Sequence, residues 1–127
     1  ETQHLKLLEK EWGRYKYAIL ERSPAIYQAI RTLLKDKADY PVQEFYRLID
    51  AVFTEEIRPG YAENAAAHVW GYFKKNATDT ERSQYEKNLT NYRNNTGTLE
   101  TLKRQLFKLA EKYETDYLLQ SLYFYLE

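Results

Sequence analysis

The sequence contains no cysteine. That absence rules out disulfides, thiolate nucleophiles, zinc–cysteine sites and ordinary iron–sulfur ligation by this chain on its own. Glycine and proline are scarce, at 4 and 3 in 127 residues, and no glycine-rich phosphate loop occurs among them. Methionine is missing too, so Glu1 reads as a trimmed or processed start. Neither sign of charge prevails. The 19 basic and 19 acidic side chains cancel, which leaves no net field to draw the whole molecule to nucleic acid or to a membrane, and a polyanion would have to find a local patch. Apolar runs are only a few residues long, far short of the roughly 20 that a spanning helix needs, and the N-terminal stretch has no hydrophobic signal core. A cytoplasmic chain with no membrane segment is the expectation. In that setting the Asn-x-Ser/Thr triplets at Asn76, Asn88 and Asn94 read as chance rather than as glycan acceptors.

What the sequence does contain is helical periodicity. Its length suits one domain that buries roughly two thirds of its unfolded surface. Leu5, Leu8, Trp12, Tyr15 and Ile19 recur at spacings of three and four, predicting a helix over residues 2–22. Ser23-Pro24 restarts the chain, and Ile26, Ile30, Leu33 and Leu34 line a second helix expected to end near Asp39. Tyr40-Pro41 opens a third, lined by Val42, Phe45, Leu48, Ile49, Val52 and Phe53, and Arg58-Pro59-Gly60 is expected to close it. A fourth carries "NAAAHVWGYFKK", residues 64–75. Thr78 and Glu81 have the spacing of a capping box for a fifth helix with Tyr85, Leu89 and Tyr92 facing inward. "NNTG" interrupts. Thr98 then caps a sixth helix carrying Leu99, Leu102, Leu106, Leu109 and Tyr113, and Asp116 a short seventh. No strand alternation, repeat or linker intervenes, so residues 1–127 are expected to form one all-α domain, a single compact bundle of six to seven helices.

The fourth helix raises the functional question. Residues four apart lie nearly above one another on a helix, so Asn64, His68 and Tyr72 form one polar column that Lys75 extends. Ala65, Val69 and Phe73 form an apolar column beside it, with Ala66 and Trp70 adding width, and Gly71 leaves room for a close neighbour. Under one reading His68 and Asn64 are hydrogen-bonded core residues, Tyr72 is packing, and Lys74 and Lys75 are solvated. Under the other, the column lines a groove in which imidazole, amide and phenol meet a ligand and the lysines meet phosphate. Metal binding has no support, because His68 lacks a second histidine at ligand spacing and His4 lies far away in sequence. No glycine-flanked serine marks a nucleophile. Any enzyme here would use His68 as general acid or base, oriented by Asn64, with Tyr72 or Lys75 binding substrate charge.

The 13 tyrosines supply faces on which bases can stack, provided that basic residues hold the backbone beside them. Tyr15, Tyr85, Tyr92 and Tyr113 fall on inward stripes. Arg14, Lys16, Lys74, Lys75, Arg93, Lys103 and Arg104 fall at surface positions.

"WGRYKYAILERSPAIY", "HVWGYFKK", "NYR" and "YLLQSLY" together resemble the YbgA family of bacterial helical domains over most of the chain. The matching positions are Lys16, Tyr17, Asn64, His68, Gly71, Tyr72, Phe73, Lys74, Lys75, Tyr92, Arg93, Tyr117, Leu118 and Gln120. The departure is "IRPGYAENAAAH", shorter than the family pattern, with Ala62 where relatives carry a histidine. Members of that family are often fused to a cysteine-rich iron–sulfur domain resembling thiouracil desulfidases. The resemblance therefore implies an accessory domain that holds thiolated tRNA while a separate desulfidase does the chemistry, with no cofactor of its own. On that expectation Lys16, Lys74, Lys75 and Arg93 contact phosphate while Asn64, His68 and Tyr72 contact a base or ribose. The alternative is a protein-interaction module or homodimer that uses Trp70, Phe124 and Tyr125.

Overall fold

Helix starts follow local side-chain chemistry. The computed structural model describes residues 2–35 and 41–125. Helix α1 (Thr2–Leu20) is followed by a turn in which Ser23 Oγ accepts the Ile26 amide at 3.1 Å, opening α2 (Pro24–Lys35). Helix α3 spans Val42–Val52 and α4 spans Pro59–Trp70. Ahead of α5 (Asp79–Arg93), Thr78 Oγ1 accepts from the Glu81 amide and Glu81 Oε1 from the Thr78 amide, the reciprocal capping that the Thr-x-x-Glu spacing predicts. Thr98 Oγ1 accepts the Thr101 amide to start α6 (Leu99–Lys112). The chain ends with the single-turn α7 (Asp116–Leu119) and a 3-10 turn (Leu122–Phe124), where Ser121 Oγ accepts from the Tyr123 amide.

These elements form the expected all-α bundle, and no strand occurs among the described residues. Helix α1 runs through its centre, packed on α2, α4, α3, α7 and the 3-10 turn, while α6 packs on α4, α5 and α7. Ile19, Ile30, Phe45, Val69, Phe73, Leu102, Leu106, Leu118 and Tyr123 are all but inaccessible. Ala62, Ala65 and Ala66 are fully buried on α4, and their small side chains let it lie close to its neighbours. Trp70 stacks on Tyr85 with centroids 4.4 Å apart, joining α4 to α5. Glu81 joins α5 to α6 by accepting from Lys112 Nζ and Tyr113 Oη, each at 2.6 Å. No helix of the described residues is long and apolar enough to cross a membrane.

Several expectations change. Arg58-Pro59-Gly60 opens α4 with Pro59 in its first turn, whereas α3 has already ended at Val52. Proline suits a first turn because its missing N–H is not needed there. The expected end of α2 at Asp39 and the role of Tyr40 lie outside the described residues. Trp70, expected to cover a partner, is 7% exposed inside the bundle. Lys103, placed at the surface by its charge, is buried. Its ammonium donates to Glu21 Oε2 at 2.9 Å and to the Tyr123 carbonyl at 2.8 Å, 4.2 Å from the Tyr123 ring centroid. Arg22 also donates to Glu21 Oε2, at 3.3 Å. Glu21 is fully buried, and burial raises its carboxyl above the usual range although Lys103 and Arg22 oppose the shift. No sequence spacing links residues 21 and 103, so periodicity could not pair them.

Candidate functional site

The polar column ends sooner than helical geometry suggests. Helix α4 stops at Trp70, and Tyr72 to Lys75 lie in the turns that follow. Within α4, Asn64 and His68 are exposed, as are Tyr72, Lys74 and Lys75 beyond it, so the core-residue reading of His68 and Asn64 is overturned. Neither the Asn64 nor the His68 side chain has a hydrogen-bond partner among the described residues. Asn64 therefore does not orient the imidazole, and a general acid or base here would lack its positioning partner. Gly71 does not face a neighbouring element either: a Cβ there would meet the His68 carbonyl of its own helix at 3.1 Å.

His68 and Tyr72 nevertheless sit beside a group of tyrosines drawn from three other parts of the chain. Tyr17 of α1 is 4% exposed, and its phenol oxygen lies 2.8 Å from that of Tyr72. The Tyr17 ring centroid is 6.4 Å from that of His68 and 6.2 Å from that of Tyr72, edge-on to the latter. Tyr72 in turn lies nearly parallel to Tyr117 of α7, at 6.1 Å and 23°. These two rings are 42% and 45% exposed. Gly13 of α1 makes the arrangement possible, because a Cβ there would stand 3.0 Å from Tyr117 Cε1 and 3.1 Å from its phenol oxygen. Beside this group, Lys16 Nζ lies 5.7 Å from the Tyr17 centroid. On α2, Tyr27 packs on Trp12 at 5.4 Å and carries the Arg31 guanidinium over its own ring at 5.9 Å.

The electrostatics follow from burial and crowding. Burial, the hydrogen bond to Tyr72 and the neighbouring phenols of Tyr72, Tyr117 and Tyr27 raise the Tyr17 hydroxyl far above the ordinary phenol range. Burial, Tyr72 and Tyr27 raise Tyr117 as well. Both remain neutral, so they serve as hydrogen-bonding groups rather than nucleophiles. Lys16 is pushed down by partial burial and then by the Arg31 charge. The site thus offers two open, nearly parallel aromatic rings, an exposed imidazole and two cations.

Of the residues expected from sequence, Lys16, His68 and Tyr72 each lie near the ring of Tyr17, and Asn64 lies one turn from His68 on the same side of α4. Arg93 does not join them. It donates to Glu63 Oε1 from Nε at 3.0 Å and from Nη2 at 2.8 Å. Glu63 precedes His68 by five residues, about 140° around the helix axis. Lys74 has its carbonyl bound by Arg82 from α5 at 3.2 Å, so the two lysines sit where the chain turns toward α5. Gly13 and Arg31 were not singled out from sequence, and Tyr27 entered only as the end of the "WGRYKYAILERSPAIY" match. The available signal was two i, i+4 pairs, Trp12/Lys16 and Tyr27/Arg31, on consecutive helices. A separate cavity of about 400 Å³ lies between α6 and the C-terminal turn, walled by Leu99, Phe107, Phe124 and Tyr125, with Lys103 and Arg104 also at its lining.

Residues 16–126 match the family described as "Protein of unknown function (DUF1722)", and the chain belongs to that family. No curated protein and no solved structure matches it.

Proposed function

We propose that this DUF1722 domain is a YbgA-like accessory domain that binds RNA, holding an unpaired base of thiolated tRNA on its tyrosine face for a separate cysteine-bearing desulfidase. The observation that carries the reading is the open Tyr72–Tyr117 pair, with His68 and Lys16 both near the Tyr17 ring that Tyr72 meets edge-on. Exposed aromatic faces bind single-stranded bases by stacking, and nearby cations hold the backbone. Neutral phenols and an imidazole add donors and acceptors for a base edge or a ribose hydroxyl. The absence of cysteine fits a binding role, since cluster chemistry would come from the partner.

Lys16 makes the phosphate contact nearest the stacked rings, with Lys74 and Lys75 following the strand away from them. Arg93, already held by Glu63, contributes least. The test is binding of bulk tRNA to the purified chain at low and moderate salt, beside the Lys74→Ala/Lys75→Ala variant. Affinity should fall as salt rises, and the variant should show a shallower salt dependence because fewer counterions are released. Undetectable binding at low salt would overturn the proposal.

A further inference from the structure

We infer that the cavity between α6 and the C-terminal turn is a binding site for a small aromatic carboxylate, whose ring lies among the aromatic walls while its acid group pairs with Arg104. The site shares no lining residue with the tyrosine face, so it is independent of the RNA reading.

Three parts of the chain build the walls: Ile57 from the segment before α4, Leu99 and Phe107 from α6, and Phe124 and Tyr125 from the C-terminal turn. Phe107 meets Phe124 at 5.3 Å and 68°, and Tyr125 at 6.2 Å and 74°, edge-on to both. The rings leave about 400 Å³ between them and the rest of the wall, inside the range of roughly 300–1,000 Å³ that small-molecule sites occupy. Bonds beneath the walls hold them in place. Phe124 packs edge-on against the buried Tyr123 at 5.1 Å, and the Tyr123 carbonyl accepts from Lys103 Nζ at 2.8 Å. Tyr125 is 60% exposed, yet its hydroxyl donates to the Leu119 carbonyl at 3.2 Å. A cavity already in shape spares a ligand the cost of ordering it, and aromatic walls take an aromatic ring in offset or edge-on contact.

Charge decides which polar group the ligand carries. The charged side chains at the lining are Lys103, Arg104 and Glu100. The Lys103 ammonium is committed to Glu21 and the Tyr123 carbonyl. Arg104 donates from Nη2 to Glu100 Oε1 at 2.8 Å, and this uses only one of its several N–H donors. Both side chains of that pair are more than half exposed, at 58% and 66%, and an exposed pair one turn apart contributes little. A ligand carboxylate can therefore take two parallel bonds from the guanidinium while Glu100 turns into water. An ammonium ligand would gain Glu100 but face Arg104 and Lys103 together, and like charges brought side by side are penalised.

The experiment titrates the intact chain with β-naphthoate, the neutral β-naphthamide and the cationic β-naphthylmethylammonium, following backbone and side-chain shifts by NMR. Naphthoate should bind saturably and at least tenfold more tightly than either of the others, with the largest shifts at Leu99, Phe107, Phe124 and Tyr125. In Arg104→Gln, an exposed substitution, the preference for carboxylate over amide should vanish while the ring still binds. Leu99→Trp, which fills the cavity, should abolish binding of all three. No saturable binding of naphthoate, ammonium binding as tight as that of the carboxylate, an unchanged preference in Arg104→Gln, or shifts centred on Tyr72 and Tyr117 would each overturn the inference. The three-ligand comparison and the shift map on the unaltered chain decide the matter even if Leu99→Trp fails to fold.

Discussion

Replacing Lys103 by methionine tests the least visible feature of the fold. The side chain keeps its approximate length and apolar stem but loses the ammonium that donates to Glu21 Oε2 at 2.9 Å and to the Tyr123 carbonyl at 2.8 Å. Glu21 is fully inaccessible, its Oε1 has no partner among the described residues, and the remaining contact to Arg22 is the longer one, at 3.3 Å. Breaking a buried ion pair by removing one partner typically costs about 3–5 kcal/mol. The Arg22 contact places this case at about 3 kcal/mol, a substantial share of the stability of a domain this size. Urea unfolding of both proteins, with equal m-values as the control, measures the difference. The loss should shrink as pH is lowered from 8 toward 5. Removing Lys103 takes away the largest influence opposing the burial-driven rise of the Glu21 carboxyl, so the folded variant binds a proton more readily than its unfolded chain does. A loss below about 1 kcal/mol, or one that does not shrink as the pH is lowered, would refute the reasoning.

His68→Ala should leave stability within about 0.5 kcal/mol of the unaltered chain by thermal melting, since the imidazole is exposed and surface substitutions usually act on that scale. Gly13→Ala should displace Tyr117, whose Cε1 would lie 3.0 Å from the new Cβ; RNA affinity should drop while helicity by circular dichroism stays the same, and unchanged affinity would remove Tyr117 from the site. Glu81→Gln should lose about 1 kcal/mol at pH 7, as it weakens both a capping box and a link to α6. The bonds from Lys112, then Tyr113, then the Thr78 amide hold the Glu81 carboxyl down at about 2, so its contribution is present above the ordinary glutamate range and is lost as pH falls through about 2. The melting temperatures of the two proteins should therefore differ at pH 7 and draw together near pH 2.

Helix starts were readable because they depend on residues three or four apart. The Thr78/Glu81 box, the Thr98 cap and the Ser23 turn are examples. The end of α4 was harder to read, because apolar spacing runs on through Phe73 while the backbone turns after Trp70. Pro59 misled for a related reason: proline fits the first turn of a helix as well as the stretch beyond its end. Within the site, Lys16, His68 and Tyr72 were named from local spacing and family resemblance, but their neighbours come from the packing of α1 on α2 and α7. Gly13 matters only because Tyr117 lies over it, more than a hundred residues further along the chain. The Glu21–Lys103 pair lies outside any periodic signal for the same reason, since charge at both positions argued for solvent.

The measurement that bears most directly on the proposed function is the affinity of the chain for a short single-stranded RNA at fixed salt, compared with that of Tyr72→Leu/Tyr117→Leu. Base–aromatic stacking is worth about 1–3 kcal/mol per base, so loss of the two exposed rings should weaken binding by roughly one to two orders of magnitude or more. Both residues bury more than half of their surface and Tyr72 bonds the buried Tyr17 phenol, so the variant should melt at a lower temperature yet remain folded at the temperature of the assay. Equal affinities for the two folded proteins would contradict the account.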